Sequence, residues 1–407
     1  MVAATPFISP AAFLVGGTRT PVGRYAGSLS PVRPDDLAAL VVKQTIEDAG
    51  IDPTDVDEVI LGNANGAGEE NRNVARMSWL LAGFPETVPG VTVNRLCASG
   101  MSAIAIASQM IAAGDADLVV AGGVESMSRA PWVMAKPTTA FPRPGEVADT
   151  SIGARFVNPE HLKHEKRMFS MPETAEEVAR IDRISRNDAD VFALQSHQRA
   201  VAAHNAGRLG REITPVEVSN RKGQVSVVAA DQGPRPDSSL GALSQLRTVV
   251  PGGSVVTAGN ASSLNDGASA VLVASERAVE KYGLAARARV VGRTNAGIAP
   301  EVMGLGPVPA TQKVLERTGW DLDDIGAVEI NEAFASQSLA CIRRLGLDQG
   351  VVNADGGAIA LGHPLGSSGC RIVVTLLRRM EDEGAARGLA TMCIGMGQGA
   401  AMLLERV

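Results

Sequence analysis

Four side chains able to do chemistry stand where a strand would end and a glycine-rich turn begin: Cys97, Asn331, His363 and Cys393. Cys97 lies in Asn94-Arg95-Leu96-Cys97-Ala98-Ser99-Gly100, ahead of an Ala-rich helical stretch. A thiol there meets unpaired backbone N–H groups and the positive end of the helix dipole, and both favour thiolate. A lone cysteine is more often a buried apolar side chain. The turn marks this one as a nucleophile. Cys393 closes a strand and enters Ile394-Gly395-Met396-Gly397-Gln398-Gly399. Glycines at alternate positions let backbone approach a ligand and leave N–H groups free for an oxyanion. His363 sits in the stiff turn Gly362-His363-Pro364, which suits a general base. The other four histidines, at 161, 164, 197 and 204, fall in a polar stretch and read as solvated. The amide of Asn331, in Asn331-Glu332-Ala333-Phe334, could hold a water that polarises a carbonyl. Cys341 and Cys370 lie on helical stretches without glycine turns and read as structural.

Elements that would position these groups alternate along the chain. Val59-Ile60-Leu61 predicts a strand, and residues 71–82 follow with helical spacing. Leu118-Val119-Val120-Ala121 predicts a buried strand after a helix at 101–113, and a further helix is predicted at 188–205. The order is that of a layered α/β fold. Its second half echoes its first. The strand ending at Asn63, the helix after it, Val93-Asn94 and the turn at Cys97 are answered by the strand ending at Asn331, a helix, Val352-Asn353 and the turn from Gly356 to Gly369. Residues 118–123 are likewise answered by 390–397. Duplicated units that face each other follow. Cys97 and Cys393 would close matching turns in the two halves and meet at one site. Residues 130–250 break the pattern. They are rich in Pro (137, 142, 144, 159, 172), Arg, Glu and His, which suits an inserted surface that meets a ligand.

Composition narrows the function. The chain has 407 residues, 45% hydrophobic and 20% charged, which is globular. Its 38 Lys and Arg against 44 Asp and Glu leave a net charge of −6 and no basic surplus for nucleic acid. The four cysteines have no C-x-x-C spacing, which argues against a zinc knuckle, and the length argues against a disulfide scaffold. No apolar run approaches the length of a membrane helix. Residues 1–10 carry no export or organelle signal, and the C-terminus is not a peroxisomal tripeptide, so a soluble cytoplasmic protein is expected. No G-x-G-x-x-G opens a helix, so a nicotinamide oxidoreductase is excluded.

Seven blocks in order resemble the thiolases, the acetyl-CoA C-acyltransferases, over essentially the whole chain. They are 94–100 around Cys97, Gly122-Gly123-Val124-Glu125-Ser126-Met127-Ser128, Thr257-Ala258-Gly259-Asn260-Ala261-Ser262, Gly306-Pro307-Val308-Pro309, Asn331-Glu332-Ala333-Phe334-Ala335, Gly356-Gly357 through Gly362-His363-Pro364, and 393–399. The resemblance implies an α/β fold of two βαβαβαββ halves in a five-layered α-β-α-β-α sandwich. The first half would be 1–129 with 251–280, the inserted loop domain 130–250, and the second half 281–407. It implies that Cys97 carries the acyl group as a thioester, that His363 takes the Cys97 proton, and that Cys393 is the acid and base toward C2 of acetyl-CoA. Asn331, with His363 beside it, would serve one oxyanion site, and the N–H groups of Cys97 and Gly395 the other. Coenzyme A and acyl-CoA are then substrates, with no bound cofactor or metal. Arg235 would lie near the adenosine phosphate, Ser262 and Met171 along the pantetheine and thioester, and Phe334 in the acyl pocket. A homodimer or homotetramer is implied, without nucleic-acid or membrane partners.

Within the family the chain departs from the short-chain biosynthetic pattern. Ser170 stands where a histidine is common before Met171, Met396 replaces a glycine of the last loop, and Ala242 replaces a serine. Residues 125–134, 155–159 and 171–176 look more like the degradative and 3-oxoadipyl-CoA thiolases, a role in fatty-acid β-oxidation or related breakdown. Cleavage should outrun condensation. The smaller Ser170 should widen the acyl pocket, and Arg155, Lys166 or Arg167 would meet a distal carboxylate. Biosynthetic acetoacetyl-CoA synthesis is the alternative. A decarboxylating condensing enzyme would place histidine at position 393, and a non-catalytic acyl-CoA or lipid binder would have lost one of the four residues.

Overall fold

Runs such as Leu118-Val119-Val120-Ala121 are apolar at every position, so a strand made from them has to be covered on both faces. The computed structural model describes residues 11–407 except Pro144, Glu165 and Arg221. The signal reading of residues 1–10, and Pro144 of the Pro-rich stretch, lie outside the described residues. The main sheet runs through β1 (Ala12–Arg19), β2 (Glu58–Gly62), β3 (Gly90–Val93), β4 (Leu118–Ser126), β5 (Asn265–Ser275), β6 (Ala288–Gly297), β7 (Ala327–Ile330), β8 (Arg387–Ile394) and β9 (Gln398–Arg406). Their spatial order is β7-β8-β9-β6-β1-β5-β4-β2-β3.

This order reads alike from both ends. β3-β2-β4-β5-β1 is answered by Val352-β7-β8-β9-β6, where Val352 makes a single parallel bridge to Val328 in place of a strand. The halves join at β1 and β6 through Phe13 opposite Arg289 and Leu14 opposite Ala288. Register then aligns the halves residue by residue. Gly62 pairs with Gly123, and Ile330 with Thr391. Asn63 and Asn331 follow at equivalent places, and two residues further along β4 and β8 Glu125 holds the place of Cys393. The expectation that Cys97 and Cys393 close matching turns is corrected. The counterpart of Cys97 is the turn ahead of Leu365, and the counterpart of Cys393 is Glu125.

Eight longer helices complete the layers: α1 (Pro34–Ala49), α2 (Val74–Leu81), α3 (Ser99–Ala113), α4 (Met171–Asp182), α5 (Arg186–Asn205), α6 (Pro307–Thr318), α7 (Ala335–Leu345) and α8 (Leu365–Asp382). Helix α2 starts later than its apolar spacing predicts, because Asn71 and Arg72 turn at φ 50° and 65° and Asn73 Oδ1 accepts the Arg76 N–H at 3.3 Å. The two faces of β4 enter different cores. Val119 and Ala121 pack with α3 and α8 in the middle layer, while Leu118 and Val120 pack under α1 and α2. On the other side Leu389, Ala401 and Leu403 pack under α6 and α7. The stretch Leu96–Ala113 is in fact long and apolar enough to cross a membrane, with mean hydropathy 1.6. In the fold it contains α3, whose apolar sides are used against α8 and both halves of the sheet.

The polar stretch 130–250 forms a hairpin (Trp132–Met134 with Val147–Asp149), helices α4 and α5, and a second hairpin (Val216–Ser219 with Val225–Val228). Helices α4 and α5 share a core with the second half. Ala179, Ala189, Phe192 and Ala193 pack with Leu339, Ile342 and Ile359. This places the carboxyl ends of β7 and β8 beneath the inserted segment.

Helix α8 meets the first half at van der Waals limit. A Cβ on Gly123 would sit 2.0 Å from the Gly366 carbonyl oxygen, and one on Gly366 would sit 2.3 Å from that of Val124. Backbone cannot yield there as a flexible side chain would. Gly123→Ala should therefore lower the free energy of unfolding by about 2–3 kcal/mol or more. Gly241→Ala, in an open position of a short helix, should leave it unchanged or raise it by up to about 1 kcal/mol. Urea melts of the two variants would test the contrast, and equal midpoints would refute it.

Candidate active site

Each central helix begins at the same level and brings one reactive group with it. Cys97 sits in a 3-10 turn, Leu96–Ala98, which runs directly into α3. His363 precedes α8, and its backbone N–H donates to Asn265 Oδ1 of β5 at 2.9 Å. Cys393 lies one residue from the end of β8, opposite Gly399 of β9. These three line one cavity of about 310 Å³ with Met171, Ser262, Phe334, Met127, Ile152 and Leu365. Most of its wall is apolar, so the reacting groups work in a medium that penalises charge.

Burial sets the protonation states. It pushes the Cys97 thiol up to about 11, against the pull of the Gly395 and Cys97 N–H groups, and Glu125 adds to the rise. Burial thus opposes the helix-dipole argument for a resting thiolate, while Cys97 keeps partial contact with the cavity. Burial, with Arg371 behind it, holds the His363 imidazole down to about 3. Burial and the nearby Cys97 push Cys393 well above its ordinary value. The resting site is thus two thiols and a neutral imidazole.

Hydrogen bonds fix the tautomer. The Ser368 hydroxyl donates to the Pro364 carbonyl at 2.9 Å, so its oxygen accepts from His363 Nδ1–H at 2.7 Å. His363 Nε2 then carries the lone pair. Asn331 Nδ2 lies 3.4 Å from it, a long contact that leaves the nitrogen available. Asn331 is fully buried, and its Oδ1 has no partner among the described residues.

Beyond Ser262 the cavity continues into a second one of about 410 Å³, and Ala258, Ala261, Ser263 and Leu264 line both. Arg235 and Ala242 line this outer cavity and are exposed, away from the reacting groups. His197 lies there too, and its expected solvation is wrong. It is 6% exposed on α5, its Nδ1 accepts the Arg235 N–H at 3.3 Å, and burial with Arg235 and Arg24 lowers it to about 4. His161, His164 and His204 are exposed. Cys341 and Cys370 are buried in α7 and α8, and all four cysteines are free.

Two expectations about the acyl pocket change. Ser170 is exposed and caps α4, its N–H and hydroxyl both donating to Glu173 at 2.6 and 2.7 Å, so it widens nothing. Lys166 is paired with Glu177 at 3.0 Å. Sequence reasoning missed Ser368, Asn265 and Glu125, which fasten the catalytic turns. Glu125 accepts from Ala64 N–H at 2.9 Å and Gly366 N–H at 2.8 Å. Burial raises it to about 7. The only signal for Ser368 was its spacing of five from His363, and nothing local marked the others. Among the described residues no three His, Cys, Asp or Glu side chains gather as a metal site.

The sequence pattern of the thiolase N-terminal domain matches residues 12–277, and that of the thiolase C-terminal domain matches 284–406. The chain belongs to the thiolase family. It is similar to the beta-ketoadipyl-CoA thiolase of Pseudomonas aeruginosa, with 56% identity over 398 residues, covering 97% of this chain and 99% of that protein. To the 3-oxoadipyl-CoA/3-oxo-5,6-dehydrosuberyl-CoA thiolase of Escherichia coli K12 it is 52% identical, with the same coverage. Its fold matches human mitochondrial 3-ketoacyl-CoA thiolase in complex with CoA at TM-score 0.90 and 38% identity, over 98% of each chain. This thiolase is accordingly an acyltransferase that moves an acyl group between a 3-oxoacyl-CoA and CoA.

A thiol raised to about 11 gains thiolate as pH rises. Alkylation of Cys97 in the free thiolase by iodoacetamide should climb close to tenfold per pH unit from pH 7 to 10. A rate already flat from pH 6 would show a resting thiolate–imidazolium pair and refute the neutral site.

Proposed function

We propose that this thiolase cleaves 3-oxoacyl-CoA substrates bearing a distal carboxylate, of the 3-oxoadipyl-CoA kind, through an acyl-Cys97 intermediate. The observation that carries the mechanism is the gathering of Cys97, His363 Nε2 and Cys393 on one apolar cavity. In cleavage, His363 Nε2 takes the Cys97 proton as the sulfur bonds to C3 of the substrate. The oxyanion formed at C3 collapses, the C2–C3 bond breaks, and its electron pair becomes the enolate of acetyl-CoA. Cys393 protonates C2, and acetyl-CoA departs. CoA thiol then gives its proton to the Cys393 thiolate and attacks the acyl-thioester, and Cys97 takes back its proton from His363. Because both partners rest neutral, the first proton moves with the attack, and the His363 imidazolium and Cys393 thiolate coexist only while Cys97 carries the acyl group.

Charge on oxygen needs two cradles. The N–H groups of Gly395 and Cys97, both directed at the Cys97 sulfur, suit the oxygen of the acyl group bonded to it. Asn331 and His363 suit the thioester oxygen of the enolate, the unpartnered Asn331 carbonyl orienting a water. Coenzyme A would lie along the outer cavity with Arg235 at its phosphate end, Ser262 and Met171 along the pantetheine, and Phe334 against the acyl group.

Support for the substrate is the identity of 51–56% to proteins named for 3-oxoadipyl-CoA or beta-ketoadipyl-CoA, against 44% to an acetyl-CoA acetyltransferase of Chromobacterium violaceum. The same proposal includes a breakdown role, a cytoplasmic homodimer or homotetramer, and the division into 1–129 with 251–280, 130–250 and 281–407. The open edge of the main sheet at β3 supports the oligomer.

Acid-quenched enzyme incubated with acetyl-CoA should carry the acetyl group on the peptide holding Cys97. Label mainly on Cys341 or Cys370 would sink the mechanism. Cys393→Ala should keep that labelling while thiolysis falls roughly 10²- to 10⁴-fold, and near wild-type turnover would remove Cys393 from the chemistry. Comparison of kcat/KM for acetoacetyl-, 3-oxohexanoyl-, 3-oxooctanoyl- and 3-oxoadipyl-CoA tests the substrate. Strong preference for acetoacetyl-CoA would favour the biosynthetic reading.

A further inference from the structure

An open cavity of about 340 Å³ has Met396, the residue after Gly395, in its wall. Its lining is Gly153, Ala154, Arg155, Val157, Asn158, His161, Met168 and Met396. The mechanism above leaves this space unused. Gly395, whose N–H meets the Cys97 sulfur, and Met396, whose side chain walls the cavity, are chain neighbours about 3.8 Å apart at Cα. Ile152 lines the catalytic cavity and Gly153 the adjacent one. The chain steps Ile152-Gly153 and Gly395-Met396 therefore bring this cavity up against the catalytic one.

The cavity carries one fixed cation. Arg155 is half-buried, and its Nη2 donates to Asn65 Oδ1 at 3.0 Å. Asn65 is itself buried and held by Thr150, its Nδ2 donating to the hydroxyl at 2.9 Å and to the carbonyl at 3.1 Å. Its neighbour Ala64 accepts from Asn94 at 3.0 Å, and Asn94 Oδ1 in turn accepts the Leu96 N–H at 2.9 Å. Arg155 is thus braced against the same loop that carries Cys97. Among the described residues no carboxylate pairs with it. Lys166 is already neutralised by Glu177, and Arg167 does not line the cavity. The remaining polar lining, Asn158 and His161, adds groups able to donate to an anion.

Backbone conformation points the same way. Met396 holds φ 64° and Phe156 holds φ 53°, left-handed values for residues with a Cβ. Glycine would fit position 396 without strain, so the methionine there supplies a wall at a conformational cost. An apolar wall of two methionines beside an unpaired guanidinium suits a methylene chain that ends in a carboxylate.

We propose that Arg155 is the specificity-determining residue of this thiolase, and that it binds the distal carboxylate of a 3-oxodicarboxylyl-CoA in the Met168–Met396 cavity. The assignment rests on the substrate reading above and names the group that enforces it. An ionic fork contact of this kind discriminates by roughly 10- to 100-fold. A monocarboxylic chain of the same length gains nothing from it.

The test uses the ratio of kcat/KM for 3-oxoadipyl-CoA to that for 3-oxohexanoyl-CoA, measured on wild type, Arg155→Met and Arg155→Lys. The wild-type ratio should be well above one. Arg155→Met should lower it roughly 10- to 100-fold, and Arg155→Lys should keep part of it, because charge survives without the planar fork. A wild-type ratio near one would overturn the substrate reading and this assignment together. A high wild-type ratio that survives in Arg155→Met would overturn the assignment alone, and so would a loss of both activities in step, since misfolding or a merely structural role leaves the ratio intact.

Discussion

The contact between the first turn of α8 and the backbone of β4 is what the rest of the molecule depends on. Gly123 and Gly366 meet there with no room for a Cβ on either. The approach lets α3 and α8 run side by side as one layer against both halves of the sheet, with apolar contacts among Met101, Ile104, Cys370 and Val373. Side-by-side packing puts their N-terminal turns at one level. Cys97 and His363, 266 residues apart in sequence by their numbers, become neighbours by that geometry.

Duplication supplies equivalent slots, and the two halves fill them differently. The place two residues beyond Gly123 on β4 holds Glu125, which fastens the turns of Ala64 and Gly366 through two N–H donors. The equivalent place on β8 holds Cys393, which faces the cavity. The paired asparagines divide in the same way. Asn63 donates to Val124 carbonyl oxygen at 3.0 Å, while Asn331 stands beside the imidazole. At these two pairs of slots the first half holds structural clamps and the second half faces the cavity, while Cys97 of the first half lines that cavity too, a division that a symmetric reading of the chain cannot show.

Burial, more than any single charge, sets the state of the site. It raises both thiols and lowers the imidazole. A neutral site in an apolar cavity attacks weakly until an acyl-CoA fills the space and the N–H groups of Gly395 and Cys97 meet a carbonyl oxygen. The same low polarity makes those donors effective once charge develops. In the adjacent cavity, the guanidinium of Arg155 has no carboxylate partner among the described residues, which is the basis of the specificity role proposed for it.

The sequence by itself determined the layered α/β class, the duplication, the polar insertion and the four reactive residues. Periodicity of two or 3.6 and the residues that break it are local properties, written in adjacent letters. The absence of glycine turns around Cys341 and Cys370 pointed to structural residues, and both are buried. Only the tertiary structure decided which turns correspond, that Ser170 is a helix cap, that His197 is buried and that Arg155 faces a cavity. It also showed that burial works against a thiolate at Cys97. Such properties depend on what the fold brings up from distant parts of the chain: Glu173 for Ser170, Arg235 for His197, Asn65 for Arg155. The desolvation that governs Cys97 comes from atoms of both halves at once, and no window of sequence contains them.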